Sequence, residues 1–424
     1  MLKVLWLSGS ALNSKNRKEV NANLKATGGW LYALEESIKQ RIELHVAFPS
    51  LQEEPSFEFD MVNYHPIYVG NKYWKYVRAL FTMKRVSLSS KALAVLRRVD
   101  PDVVHIHGTE NVFFDILEEN IGKPIVTSIQ GNITVYRRFF NKGFLGRHRK
   151  LIKLTFLRGI PVGWHSFNRT YSEFKYLSSV ERVNMKKVKY YFGRTDWDRR
   201  IVKVLANEAK YYYGGELLRN EFYNSPEWSN PYKEGTLRIY TTISDNYYKG
   251  INSILECVVL LKEKGVDFQW SVGGVDNDSL VVKVLRKYYK LAKLPKELNL
   301  LGNMNAEEIR KELIQTNVYA MLSHIENSPN SLCEAMLLGV PCISTHVGGT
   351  SSLISNGVNG VLVQDSDVWS VVGAILELTE DENSSVILGA NARRTALDRH
   401  DKQKIVDEYI LAYQDILKDY KFNC

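Results

Sequence analysis

The sequence is poor in cysteine and contains no long hydrophobic run. Its four cysteines include no C-x-x-C pair, which excludes a disulfide scaffold and is typical of free thiols in a reducing compartment. No apolar stretch approaches the roughly eighteen residues that predict a membrane span. The N-terminal segment turns polar by Asn13 and lacks the long apolar core of a signal peptide, so we interpret it as a first buried strand. We therefore expect a cytoplasmic protein.

Negative charge is missing from two windows of the chain. Residues 71–99 and 131–160 contain many Lys and Arg but no Asp or Glu, and bulky apolar residues lie among the basic ones. Such surfaces attract an anionic membrane, an anionic lipid-linked substrate or nucleic acid, at about 1 kcal/mol per basic residue near an anionic leaflet. A solvated basic helix face is the alternative. The residues that we assign to a membrane or acceptor surface are Arg137, Arg138, Lys142, Arg147, Arg149 and Lys150.

Apolar runs of strand length alternate with helical periodicity along the chain, and this alternation predicts α/β domains with parallel sheets. At roughly 150 residues per domain, 424 residues predict about two to three domains. The stretch 223–235 is rich in Pro, Asn, Ser and Gly, as linkers are. We predict Rossmann-like domains over 1–224 and 236–400, joined by a linker over 225–235. We also predict a C-terminal helix over 401–424, which could pack on the first domain. Two such doubly wound domains would place a ligand cleft between them.

The most informative stretch is SHIENSPNSLCEAMLLGVPCISTHVGG, residues 323–349. A buried strand is predicted over 318–322, and Glu326 follows its carboxyl end. A helix follows the NSPNS break, with Asn330 or Ser331 as its predicted cap. The N-terminus of such a helix offers N–H groups and a positive dipole to an anion.

Glu334 lies in this helix, and two interpretations are open for it. One is an ordinary capped helix with a favourable glutamate in its first turn. The other follows from the E-x7-E spacing of Glu326 and Glu334. Two carboxylates at a helix tip can accept hydrogen bonds from the hydroxyls of a ribose and a sugar, while the N–H groups between them hold phosphate.

Followed by Ala-Met-x-x-Gly-x-Pro, this E-x7-E pattern resembles family 4 of the retaining glycosyltransferases, which have the GT-B fold of two Rossmann-like domains facing across a cleft. The resemblance spans most of the chain. It includes the glycine pair 28–29 and the segments DVVHIHG (102–108), TSIQGN (127–132), YYKG (247–250) and VGG (347–349). GRTDWDRR (193–200) and GGELLRNEFY (214–223) resemble a bacterial branch that builds capsular or exopolysaccharide repeat units.

The resemblance implies a catalytic set and a donor-binding set. Glu326 would face the transferred sugar and stabilise positive charge at its anomeric carbon, and Lys249 would neutralise the leaving nucleotide diphosphate. Gln130, where the family often has a His, and His107, on the acceptor side, complete the catalytic set. The donor-binding set is Gly28, Gly29, Arg194, Lys249, Gly302, Asn303, Met304, Asn330, Ser331, Leu332, Glu334, Gly349 and Thr350.

Several donor-binding roles are specific. The resemblance implies that Glu334 binds the ribose hydroxyls, that the backbone of 330–332 holds the diphosphate, and that the loop 302–304 lies against the nucleobase. Gly29 would let the first helix approach the donor phosphate or the acceptor.

Besides Gln130, two positions depart from the family pattern. Ser244 and Asp245 stand where an Arg is usual, so Arg194 or Arg199 is the candidate substitute. A serine pair, 351–352, stands where an acid is usual after the Gly-Gly loop.

The resemblance implies a retaining, metal-independent glycosyltransferase with no cofactor. It would move a hexose or N-acetylhexosamine from a nucleotide diphosphate sugar to a lipid-linked (polyprenyl diphosphate) saccharide in capsular, exopolysaccharide or other surface glycan synthesis. The first domain would bind the acceptor and the second the nucleotide sugar, on the inner face of the cell membrane. The alternatives are a nucleotide-sugar epimerase of similar shape and a non-catalytic, basic nucleic-acid-binding protein.

Three further patterns have simpler interpretations. Asp196-Trp-Asp198 has the D-x-D form of metal-dependent glycosyltransferases, but it lies between arginines and predicts a structural turn. His105 and His107 share a strand face without a third ligand at zinc spacing. The pair Gly273-Gly274 predicts a plain turn more readily than a phosphate site.

Overall fold

The computed structural model describes residues 1–9, 29–50, 52–69, 88–110, 112–140, 142, 167–230 and 235–423. The chain divides into two compact units. The first unit comprises residues 1–134, 173–217 and 401–424, and the second comprises 135–172 and 218–400.

The first unit contains an eight-stranded sheet of order β3-β4-β2-β1-β5-β6-β7-β8. The short strand β3 pairs antiparallel with β4, and every other neighbouring pair is parallel. The strands are β1 (Lys3–Ser8), β2 (Glu43–Ser50), β3 (Phe57–Phe59), β4 (Val62–Tyr68), β5 (Val103–His107), β6 (Ile125–Ser128), β7 (Tyr190–Gly193) and β8 (Lys210–Tyr213).

The second unit contains a six-stranded sheet of order β11-β10-β9-β12-β13-β14, and all of its pairs are parallel. Its strands are β9 (Leu237–Thr242), β10 (Phe268–Gly273), β11 (Leu298–Gly302), β12 (Val318–Met321), β13 (Cys342–Thr345) and β14 (Val361–Val363). Strand and helix alternate in sequence, which is the doubly wound arrangement that the periodicity predicts.

The α-helices connect these strands and cover the sheets. They are α1 (Gly29–Ile38), α2 (Ser89–Val99), α3 (Ile133–Phe139), α4 (Phe167–Asn184), α5 (Asp196–Leu205), α6 (Asn220–Tyr223), α7 (Ile251–Glu263), α8 (Leu280–Tyr288), α9 (Ala306–Ile314), α10 (Asn330–Leu338), α11 (Val368–Glu380), α12 (Glu382–Arg399) and α13 (Lys402–Asn423).

The central strands are buried on both faces, which explains their near-continuous apolar sequences. In β1, KVLWLS, all residues after Lys3 are buried. The C-terminal helix α13 places Tyr409, Tyr413 and Ile416 in the same core as Trp6. The Trp6 indole donates a hydrogen bond of 3.1 Å to the Tyr413 hydroxyl. Helix α13 therefore packs within the first unit.

The described part of the predicted linker, residues 225–230, lies within the second unit and is partly packed there. Trp228 is buried, and its indole N–H donates to the Thr316 carbonyl oxygen at 2.8 Å. Its backbone N–H donates to the Leu338 carbonyl oxygen at 2.9 Å. An aromatic anchor therefore ties this stretch to the second unit, while residues 231–234 of the predicted linker lie outside the described residues.

Two expectations from composition can be compared with the structure. Among the described residues, Cys257, Cys333 and Cys342 are buried and are not joined by disulfide bonds. Within the described ranges, none of the helices has both the length and the apolar character required to span a bilayer.

Candidate active site

The carboxyl ends of the six parallel strands of the second unit share one edge of the sheet. Loops at this edge carry many of the residues singled out in the sequence. Lys249 follows β9, Glu326 follows β12, and Gly349 with Thr350 follow β13. This edge is where open α/β sheets bind ligands.

Lys249 and Glu326 form an ion pair at this edge. The Lys249 ammonium donates to Glu326 Oε1 at 2.6 Å, and the two side chains are only 21% and 7% exposed. Burial opposes the ammonium charge, but the adjacent Glu326 carboxylate outweighs it and raises the pKa of Lys249 above its ordinary value. The site therefore contains a partly desolvated cation and anion in direct contact.

Two glycines allow the backbones around this pair to approach closely. A Cβ at Gly250, whose φ is +79°, would lie 1.9 Å from the Leu322 carbonyl oxygen. A Cβ at Gly348, whose φ is +53°, would lie 1.9 Å from the Glu326 carbonyl oxygen. That carbonyl also accepts a hydrogen bond of 3.0 Å from the Gly349 N–H. The backbone position of Glu326 is therefore defined by its neighbours.

We expect Gly348→Ala to lower the stability of the second unit by about 3 kcal/mol, because the new methyl group meets a carbonyl oxygen and the backbone is left-handed. Gly357→Ala is the matched control, since Gly357 has φ +74° and open space around its Cβ position. The control should lose only about 1 kcal/mol, from backbone strain alone. Chemical unfolding followed by circular dichroism measures both, and equal losses would contradict the close approach.

His324 connects three loops beside the ion pair. Its ring is buried between Asp365, whose Oδ1 lies 2.6 Å from Nδ1, and Asn252, whose Oδ1 lies 3.1 Å from Nε2. Its backbone N–H donates to the Tyr248 carbonyl oxygen at 2.8 Å, next to Lys249. Sequence reasoning missed this network because its members come from separate segments of the chain, Asn252 from helix α7 and the others from loops.

The basic surface residues have mixed placements. Lys142 contacts Asp365 with its ammonium at 2.5 Å, so it joins the His324 network. On α3, Arg137 is half-buried and Arg138 is exposed. Arg147, Arg149 and Lys150 lie outside the described residues, as does the window 71–87.

Helix α10 begins without a side-chain cap. The predicted caps Asn330 and Ser331 are wrong, because both residues lie inside the helix and Pro329 occupies the cap position. The Pro329 carbonyl oxygen accepts from Leu332 and Cys333 at 3.0 and 3.2 Å. The first-turn N–H groups and the helix dipole still favour an anion at this end.

Glu334, in the first half of α10, is held by an arginine that sequence reasoning missed. Arg219 Nε and Nη2 donate to Glu334 Oε1 and Oε2, both at 2.7 Å. Burial raises the pKa of Glu334, and the Arg219 charge and hydrogen bonds oppose that rise. The Arg219 guanidinium also lies 4.9 Å from the Phe222 ring centroid.

Other predicted donor-binding residues contribute to turns of this edge. Gly302 ends β11 with φ +71°, and the Met304 sulfur accepts from the Tyr240 hydroxyl at 3.5 Å. The Thr350 hydroxyl accepts from the Val347 N–H at 3.0 Å and donates to the Thr345 carbonyl oxygen at 2.9 Å. Asn303 lies between Gly302 and Met304 in the turn after β11.

Asp245, at one of the departures from the family pattern, caps α8. Its carboxylate accepts from the N–H groups of Leu280 and Val281 at 2.9 and 2.8 Å. The position therefore supplies an anion to a helix N-terminus, where a negative charge is stabilising.

The predicted residues of the first unit lie at the carboxyl edge of its own sheet. His107 ends β5, Gln130 follows β6, and Arg194 follows β7. Burial, with a smaller effect of Arg194, lowers the pKa of His107 to about 3, so its ring is neutral. Gly29 begins α1, and Gly28 lies outside the described residues.

Arg194, the candidate substitute for the missing arginine, is buried in the first unit. Its guanidinium carbon lies 4.2 Å from the Trp30 ring centroid, and Nε lies 3.6 Å from Glu216 Oε2. The other candidate, Arg199, donates to Asp196 on exposed helix α5 at 3.1 Å.

The D-x-D sequence forms a helix start. Thr195 and Asp198 make a capping box, in which the Asp198 N–H donates to the Thr195 hydroxyl at 3.2 Å. The buried Asp198 carboxylate also accepts from the Arg194 N–H and the Tyr211 hydroxyl at 2.9 and 2.5 Å. These aspartates therefore have a structural role, as the sequence predicts.

The chain matches a protein family, individual protein sequences and solved structures. Residues 228–395 match the family described as Glycosyl transferases group 1. N-acetyl-alpha-D-glucosaminyl L-malate synthase of Bacillus anthracis is 33% identical over 115 residues, which are 27% of this chain and 30% of that protein. UDP-Gal:alpha-D-GlcNAc-diphosphoundecaprenol alpha-1,3-galactosyltransferase of Escherichia coli is 30% identical over 124 residues, 29% of this chain and 31% of that protein. The chain thus spans about a third of these relatives.

Solved structures match over nearly the whole chain. Sucrose-phosphate synthase from Thermosynechococcus elongatus has a TM-score of 0.70 at 12% identity and covers 98% of this chain and 100% of its own. HepE from Anabaena, in complex with UDP and glucose, has a TM-score of 0.64 at 14% identity with the same coverage. At such identities, the likeness concerns the fold.

Proposed function

We propose that this chain, a GT-B protein whose residues 228–395 form a glycosyl transferases group 1 domain, is a retaining glycosyltransferase that uses a nucleotide diphosphate sugar. The resemblance stated from the motifs is therefore confirmed at the level of family and fold. The observation that carries the proposed activity is the Lys249–Glu326 pair, at the same sheet edge as the N-terminus of α10.

The reaction breaks the bond between the anomeric carbon and the donor phosphate. Negative charge grows on the leaving diphosphate, and positive charge grows on the sugar. An ammonium has three donors, so Lys249 can contact a phosphate oxygen while it remains near Glu326. The Glu326 carboxylate then stabilises the sugar's positive charge. Opposite charges placed in advance stabilise a transition state because no reorganisation is needed when the charge develops.

The acceptor oxygen attacks the face from which the diphosphate departs. Its bond to the anomeric carbon forms, its proton passes to the departing phosphate oxygen, and the configuration is retained. This scheme needs neither a paired acid and base nor a metal ion. The structural roles of both aspartates support it, because Asp198 belongs to the capping box of α5 and Asp196 forms an ion pair with Arg199 on the same helix.

For the acceptor, we propose a lipid-linked saccharide at the inner face of the cell membrane. The Escherichia coli relative is named for a diphosphoundecaprenol acceptor, and the basic windows of this chain fit such an anionic partner. We assign acceptor binding to the first unit, with His107 and Gln130 as its contacts. The matched proteins do not favour an epimerase or a nucleic-acid-binding protein.

A thermal-shift panel of nucleotide sugars in EDTA-containing buffer tests the proposal. A correct donor at 100 times its dissociation constant should stabilise the protein by about 2.7 kcal/mol. The selected donor is then incubated with and without a lipid-linked saccharide. Transfer that needs the acceptor and persists in EDTA supports the proposal. Isomerised donor without acceptor would indicate an epimerase, and a strict metal requirement would contradict the scheme.

We expect Glu334→Gln to weaken nucleotide binding by about tenfold, since hydrogen bonds to a charged group are worth about 1.5–3 kcal/mol. The turnover number should change little, because the ribose is remote from the reacting bond. Calorimetric titration with the selected donor measures the affinity. Glu307→Gln, which replaces an exposed glutamate that pairs with an arginine in the same unit, is the control. Equal affinities of wild type and Glu334→Gln would remove the ribose role.

A further inference from the structure

Arg219 is the least expected member of the site. It directly precedes the short helix α6, one residue after the chain enters the second unit at Leu218. It meets Glu334 across a separation of 115 residues. Both contacts, Nε to Oε1 and Nη2 to Oε2, measure 2.7 Å, which is the parallel two-point geometry of a strong arginine–carboxylate pair.

The pair is enclosed by protein. The Glu334 side chain is 4% exposed and that of Arg219 is 22% exposed. The Phe222 ring of α6 packs against the Arg219 guanidinium. A carboxylate buried to this extent needs a fixed cation, because without one it would take up a proton.

Arg219 does not use all of the hydrogen-bonding capacity of the Glu334 carboxylate. Each oxygen of Glu334 has two lone pairs, and Arg219 uses one on each oxygen. One acceptor position per oxygen remains, a spacing that matches two vicinal hydroxyl groups. Arg219 and a ribose can therefore bind the same carboxylate together.

We propose that Arg219 is a positioning residue, whose two-point contact holds the Glu334 carboxylate in the orientation that accepts both hydroxyls of the donor's ribose. This inference rests on the proposed function, because it requires that Glu334 binds the ribose. Arg219 itself touches the carboxylate and not the reacting atoms. Its removal should reduce recognition of the hydroxyl pair and leave turnover at saturating donor nearly unchanged.

The test compares a nucleoside diphosphate with its 2′,3′-dideoxy analogue, using the tightest binder among UDP, GDP and ADP. We expect the wild-type protein to prefer the ribonucleotide by about tenfold. Arg219→Gln, Glu334→Gln and the double variant should each prefer it by less than about threefold. The double variant should lose no more of the preference than either single variant, because both changes disrupt the same interaction.

Two additional variants separate positioning from general stability. Arg310→Gln removes another two-point contact to a glutamate, at 2.8 and 2.6 Å to Glu307, and should keep the full preference. If Arg219→Gln does not fold, Arg219→Lys serves in its place, because lysine keeps the charge but cannot make the parallel contact. It should also lose most of the preference.

The outcomes distinguish the two proposals. Full preference in a folded Arg219→Gln or Arg219→Lys protein, with loss in Glu334→Gln, overturns the role of Arg219 and leaves the proposed function intact. Full preference in Glu334→Gln, or none in the wild type, overturns the ribose role on which this inference rests.

Discussion

Glu326→Gln should lower the turnover number by about 10²–10³-fold, comparable to the loss of one preorganised electrostatic contact in an active site. Glutamine keeps the shape of the side chain but removes the negative charge next to the Lys249 ammonium and the transferred sugar. Affinity for the nucleotide alone should change little, because the role proposed for Glu326 is toward the transferred sugar. Single-turnover kinetics with saturating donor measure the effect.

The structure alters the expected stability of such a variant. From sequence, Glu326→Ala is predicted to leave folding intact, as for a carboxylate that supports no core packing. Glu326 is buried, however, and it is the partner of Lys249. A variant that lacks the carboxylate should lose about 1–3 kcal/mol, because the ammonium is left without its anion. The exposed control Glu307→Gln should change neither activity nor stability by more than about 0.5 kcal/mol. Wild-type turnover in Glu326→Gln would refute the catalytic assignment.

Lys249→Gln is the second variant with a large expected effect. The loss of its charge should reduce turnover by about 10²-fold or more, because the leaving diphosphate is no longer neutralised. Binding of the free nucleoside diphosphate should weaken as well, since the role proposed for Lys249 is to contact its phosphate. Lys283→Gln, in a more exposed ion pair of 3.0 Å with Asp278, is the matched control. The turnover of donors whose leaving groups differ in basicity should be compared for wild type and variant. A larger loss with the more basic leaving group would place the effect of Lys249 at the bond-breaking step.

The double variant Lys249→Gln/Glu326→Gln separates activity from stability. Each single change leaves one buried charge without its partner, whereas the double change leaves none. The double variant should therefore be more stable than the sum of the single losses predicts, and should stay inactive. Additive stability losses would show that the 2.6 Å contact contributes little to the free energy of unfolding.

The sequence alone predicts where the two glutamates of the site lie along the chain. Local patterns place Glu326 after a buried strand and Glu334 on the helix that follows. In the structure, the strand is β12 and the helix is α10. The cap of α10 is an exception. Asn330 and Ser331 are favourable cap residues, but Pro329 precedes them and its fixed φ suits the position before a helix.

The α/β class and the residues at the ends of the central strands follow from the sequence alone, because periodicity and turn residues are local properties. Which of these residues meet depends on the tertiary fold. Lys249 reaches Glu326 across 77 positions and Arg219 reaches Glu334 across 115, and α13 returns to pack with Trp6. The physical reason is that parallel sheets gather loops from distant parts of the chain at one edge, and a buried charge is tolerated there only where the fold supplies its partner.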